Sequence, residues 1–155
     1  PVKAELLTFL GEAYHKKEEY NKADSAFDEV LNIDPDNTFV LNNYAYYLST
    51  REEKLDKARK LGEKLVELVP ENPSYLDTYG WVLYQHGEYE KALGYIRDAY
   101  QLSKDRAVIV EHYGDVLYKT GDKEQALEKW KEALEIDAGN KKLQEKIESK
   151  NLNEE

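Results

Sequence analysis

Residues 75–100 read YLDTYGWVLYQHGEYEKALGYIRDAY, and their spacing decides the fold. Apolar side chains recur every three and four places on both sides of a polar break, His86-Gly87-Glu88. A recurrence of that kind marks an amphipathic helix, and the break marks a turn. The stretch therefore predicts helix, turn, helix. The same arrangement returns along the chain in four segments, 4–37, 38–72, 73–106 and 107–140, of 34, 35, 34 and 34 residues. Gly11, Ala45, Gly80 and Gly114 take the eighth place of each, and Ala23, Ala58, Ala92 and Ala126 the twentieth. Tyr14, Leu48, Leu83 and Leu117 take the eleventh, and Phe27, Ile96 and Trp130 the twenty-fourth, where the second segment has Gly62.

The small residues have a mechanical reason. Two helices that cross closely leave no room for a long side chain at the crossing, so a fixed interval of Gly and Ala predicts a fixed interval of crossings. Pro35 and Pro70 end the second helix of the first two segments, because proline cannot donate the backbone hydrogen bond. Asp and Asn beside them suit the start of the next helix. The second segment carries one extra residue near Lys54, and Gly62 stands inside a helix at a cost of about 1 kcal/mol, which predicts a close contact there. Residues 141–150 read as a capping helix with one thin apolar stripe, Leu143 and Ile147, and residues 151–155 as a frayed tail.

Four concordant units of this length resemble the tetratricopeptide repeat, with its W-x2-L-G-x2-Y…A-x3-F…P signature. Gly80, Gly87, Tyr89 and Ala92 of the third unit fall at family positions; Leu7, Leu41, Leu76 and Val110 replace the Trp, and Lys104 and Ala138 replace the later Pro. NNYAYYLS and EHYGDVLYKTGD look like the bacterial branch. The resemblance implies an all-α superhelix: a single solenoid domain of four helix-turn-helix repeats plus the cap. It also implies a concave groove lined by the first helix of each repeat. Carried onto this sequence, the groove takes Glu5, Thr8, Phe9 and Glu12 from the first unit, and Phe39, Asn42, Asn43 and Tyr46 from the second. The third adds Asp77, Thr78, Trp81 and Tyr84, and the fourth Glu111, His112, Asp115 and Tyr118. Tyr46, Trp81 and Tyr84 are expected to stand exposed there as interface anchors, with the Asn42 and Asn43 amides beside them for a peptide backbone. A carboxylate clamp of the chaperone-binding kind is not reproduced, since of Thr8, Glu12, Asn43, Ser74 and Thr78 only Asn43 matches it.

Charge narrows the partner. The chain has 22 basic and 32 acidic residues, a net charge of −10. The four units carry −6, 0, −1 and −4, so acidic ends flank a neutral aromatic middle. The complementary ligand is a protein or peptide with apolar or aromatic residues and Lys or Arg. Nucleic acid and anionic membranes are disfavoured, because both are bound chiefly through Lys and Arg. The longest apolar run is five residues, Tyr44 to Leu48, too short to insert in a bilayer. With no cysteine there is no thiol nucleophile, disulfide framework or zinc knuckle, and the compartment stays open. Pro1 in place of Met suggests a segment excised from a longer chain.

No nucleophile elbow, phosphate loop or dinucleotide fingerprint is present, so no catalytic residue, metal ligand or cofactor is assigned. Glu111, His112 and Asp115 come nearest to a metal constellation and read as a solvated acidic face. The leading expectation is a non-catalytic interaction scaffold. A structural spacer or oligomerisation segment comes second, through an uncapped amino end bearing Leu6, Leu7 and Leu10. A metal-dependent enzyme is a distant third.

Overall fold

A computed structural model describes residues 1–154, which form nine α-helices and no strand. The helices are α1 (Val2–Lys16), α2 (Tyr20–Ile33), α3 (Thr38–Thr50), α4 (Leu55–Leu68), α5 (Pro73–Gln85), α6 (Tyr89–Leu102), α7 (Ala107–Lys119), α8 (Lys123–Ile136) and α9 (Lys141–Ser149). Four starts are fixed by a side chain that accepts a hydrogen bond from an otherwise unpaired amide. Asn37 accepts from Val40, Asn72 from Tyr75, Asp122 from Gln125 and Asn140 from Leu143. Pro73 follows Asn72 in the first turn of α5, where its missing N–H costs nothing.

Each turn inside a helix pair bends through one left-handed residue at the fifteenth place. Gly87 and Gly121 take it at φ 80° and 99°, whereas Glu18 and Glu52 take it at 61° and 54°. The extra residue of the second pair is absorbed by Lys54, also left-handed at φ 46°.

Helices pair within each unit, α1 with α2, α3 with α4, α5 with α6 and α7 with α8. The small residues sit at these crossings. A Cβ built on Gly11 would lie 2.5 Å from the Phe27 ring, one on Gly80 2.5 Å from Ile96 and one on Gly114 2.5 Å from Trp130. Gly62 serves the next unit: a Cβ there would stand 2.7 Å from Tyr79 of α5. In the second unit the glycine therefore sits on the second helix, and the intruding ring comes from outside.

Between units, α3 packs beside α5 and α5 beside α7, whereas α4 and α6, and α6 and α8, make no comparable approach. From α3 onward the first helices lie closer together than the second helices, so the array curves with the first helices inside. α9 closes the far end, resting on α8 and burying Leu143 completely. Of the tail expected to fray, residues 151–155, Glu155 lies outside the described residues, and residues 151–154 are packed down. After α9 the chain turns at Lys150, φ 53°, and comes back across the array, burying Leu152 to 4% exposure. Burial of an apolar side chain holds the segment down, and a few apolar residues flanked by charge gave no sign of where it would go.

Candidate functional site

The inner face is built by α1, α3, α5 and α7, and its two halves differ. In the carboxy-terminal half the expected ligand anchors are already engaged. Tyr84 is 4% exposed, because residues 151–154 lie over it and its hydroxyl donates to the Glu154 carboxylate. Trp81 is half-buried in a stack, 4.5 Å from Tyr84 on one side and 4.0 Å from His112 on the other between ring centroids. The expectation that Trp81 and Tyr84 stand exposed is thus corrected: a neighbouring ring and the returning segment cover them. Tyr118 is half-buried against Trp130.

The polar residues of this half are not solvated either. Asp77, Thr78, His112 and Asp115 are all buried. His112 Nδ1 meets the Asp77 carboxylate at 2.9 and 3.0 Å, joining α7 to α5. Burial alone would lower the His112 pKa; the Asp77 carboxylate and its hydrogen bond, then Asp115 and Glu111, outweigh it and hold the imidazole above its ordinary value. Asp115 accepts from Trp130 Nε1 at 2.9 Å and from Lys146 Nζ at 2.9 and 3.0 Å, and Lys146 also reaches Glu111 at 2.9 Å. Burial pushes the Asp115 carboxyl up although Lys146 opposes it. A protein ammonium therefore holds the carboxylates that a metal would need. Among the described residues no three His, Asp or Glu side chains converge as ligands.

These pairs follow a rule. The fifth place of one unit meets the sixth place of the next: Asn42 accepts from Thr78 at 2.7 Å, Asp77 pairs with His112, and Glu111 pairs with Lys146. The ladder fails at its first step. Thr8 donates instead to its own helix at Ala4, while Asn43 and the Tyr47 hydroxyl both donate to Glu12, at 3.1 and 2.7 Å.

Where the ladder fails the face opens. A cleft of about 680 Å³ lies between α1 and α3, lined by Phe9, Phe39, Ile33, Ala4, Thr8, Asn37 and the carboxylates of Glu5, Glu12 and Asp34. Phe9 is 74% exposed and Phe39 53%, although both are large and apolar. Beside it, Asn42, Asn43 and Tyr46 are half-buried, and burial near Asp77 and Glu111 pushes the Tyr46 phenol up. Sequence reasoning placed Phe39, Asn42, Asn43 and Tyr46 on this face. It missed Ile33 and Asp34, which the α2–α3 connection swings in; an apolar residue directly before Asp34-Pro35 was the available signal.

A profile of the tetratricopeptide repeat matches residues 3–137. The chain belongs to the tetratricopeptide-repeat family. The TPR repeat-containing protein PA4667 of Pseudomonas aeruginosa is 37% identical over 79 residues, 51% of this chain and 13% of its own length. The rat mitochondrial import receptor subunit TOM70 is 26% identical over 104 residues, 67% of this chain and 17% of its own. The chain thus spans only a small fraction of these relatives. Two solved structures share the fold. The MamA protein superposes with a TM-score of 0.78 at 19% identity, over 96% of this chain and 80% of that one. The pilF product of Pseudomonas aeruginosa does so with 0.82 at 22%, over 96% and 67%. The all-α tetratricopeptide superhelix is accordingly the fold of this array. No described helix is long and apolar enough to cross a membrane.

Proposed function

We propose that this array is a non-catalytic scaffold that holds a protein or peptide segment in the amino-terminal half of its inner face. The segment carries an apolar or aromatic side chain next to Lys or Arg. The observation that carries this reading is the cleft between α1 and α3, where Phe9 and Phe39 stand exposed beside Glu5, Glu12 and Asp34. Exposed aromatics in a concave site desolvate a partner's apolar side chain, and the surrounding carboxylates favour a cationic neighbour. The relatives support the class of function: an import receptor subunit is among them. Peptides selected from a random displayed library on the intact array should be rich in apolar residues beside Lys or Arg. They should lose at least tenfold in affinity for a Phe9→Ala, Phe39→Ala double variant whose helicity and melting are unchanged. Equal binding to that variant would refute the reading.

A second reading has its own observation. On the outer side of the first pair, Val2, Leu6 and Leu10 are 76%, 59% and 38% exposed, a surface suited to a second copy of the array. Light scattering over a range of concentrations decides it, since a strict monomer removes this reading.

A further inference from the structure

The returning segment occupies the carboxy-terminal half of the inner face through two side chains. Leu152, 4% exposed, joins the buried cluster that contains Tyr84, Val116, Leu117 and Trp130. Two residues on, the Glu154 carboxylate accepts from the Tyr84 hydroxyl and sits 2.7 Å from Lys119 Nζ. Lys119 is fixed for the task by lying 5.6 Å over the Tyr89 ring, itself edge-on to Tyr84. The rest of the segment bonds locally: Asn151 to the Lys146 carbonyl, and Ser149 with Asn153. The groove thus holds the returning segment by one apolar side chain and a carboxylate two residues later.

We infer that this end of the face is a second binding site, for a segment with a Leu-like side chain two residues before Asp or Glu and a left-handed turn between them, as at Asn153 (φ 56°), and that residues 151–154 are its occupant in cis. A partner segment of that chemistry docks by displacing them. The site differs from the amino-terminal cleft in place and in the sign of charge it takes, so the two stand or fall separately. Displacement is feasible because the ion pair is partly wet, with side-chain exposures of 30% for Lys119 and 45% for Glu154, and a partly wet pair holds weakly. The tether still gives the cis segment an effective concentration on the order of millimolar, which a partner must exceed.

The probe is a fluorescent, amidated peptide of residues 148–154, ESKNLNE. It is titrated by anisotropy against the full chain and against the full chain bearing Leu152→Asn with Glu154→Gln. The released variant should bind at least tenfold more tightly than the intact chain. Binding should fall tenfold or more when Lys119→Ala and Tyr84→Phe are added, or when the probe carries the same Leu and Glu changes. Equal binding by intact and released chains, or none by a released variant that melts normally, overturns the inference. Should the variant not fold, excess probe is added to the isotope-labelled intact chain. The amide resonances of Asn151, Leu152 and Asn153 should then move to disordered positions, and unmoved resonances at saturating probe overturn the inference equally.

Discussion

Replacing Gly114 by alanine adds one methyl group where α7 touches α8. The new Cβ would lie 2.5 and 2.6 Å from Trp130 Cδ1 and Nε1 and 3.1 Å from the Ala126 carbonyl oxygen. Neither neighbour yields easily. Trp130 is 1% exposed with its Nε1 bonded to Asp115, and the third contact is backbone. Overpacking a rigid core costs about 1–3 kcal/mol, and this site belongs at the upper end. Against it stands the gain of about 1 kcal/mol from alanine in a helix. The net is a loss of about 2 kcal/mol, or roughly 4–8 °C in melting temperature for a chain of this size. Gly94 is the control, because it lies inside α6 with nothing within 4 Å of its Cβ position. Gly94→Ala should stabilise by nearly the whole propensity gain, about 1 kcal/mol. Urea and thermal unfolding followed by circular dichroism measure both. The two substitutions are chemically identical, so opposite signs isolate the crossing. If Gly114→Ala were as stable as Gly94→Ala, close approach could not be the reason for the glycine period.

Two further outcomes test the polar framework. Asp24, buried on α2, holds the Arg51 guanidinium at 2.9 Å and the Lys54 ammonium at 2.7 Å; Asp24→Asn leaves Arg51 only the exposed Glu53 carboxylate at 3.4 Å and should cost about 3 kcal/mol by urea unfolding. His112 faces Asp77 from α5, Asp115 and Glu111 on its own helix, with Lys146 of α9 behind the last two. Its folded pKa lies above the ordinary 6.5, so the stabilisation it gives is complete below that pH and fades as pH rises through the folded value. The stability difference between the intact chain and His112→Gln should accordingly shrink as unfolding is repeated upward from pH 6.5, and a flat difference would remove the charged imidazole from the account.

The period was legible because its cause is local. Each Gly at the eighth place answers to one side chain of its own unit, Gly11 to Phe27, Gly80 to Ile96 and Gly114 to Trp130. Gly62 shows the limit of that reading: its need for a close contact was visible, but the intruding Tyr79 belongs to the following unit. The inner face was less legible. Tyr84 occupies the same place in its unit as His15, Ser49 and Tyr118, so periodicity assigns all four to one face. Exposure on that face is then decided by a segment 70 residues away, and a short stretch with one leucine carries no period to announce it.

The polar ladder supplies the physical link between fold and function. Places that the family resemblance offers to a ligand are used here, in the carboxy-terminal half, to bind one unit to the next. Asp77 cannot both hold His112 and present its carboxylate to a partner, and Lys146 cancels Glu111 and Asp115 in the same way. A buried charge stripped of its partner is costly, so these residues do not switch roles freely. Between α1 and α3 the matching positions are Thr8 and Asn43, and Thr8 turns back to its own helix. The bonds that do join the two helices, from Asn43 and Tyr47 to Glu12, leave the step at Thr8 unmade, and Phe9 and Phe39 stay exposed beside it. Complementary residues at the fifth place of one unit and the sixth of the next therefore mark a closed step of such an array. A mismatch, as at Thr8 and Asn43, leaves that step without such a bond, with Phe9 and Phe39 exposed beside it.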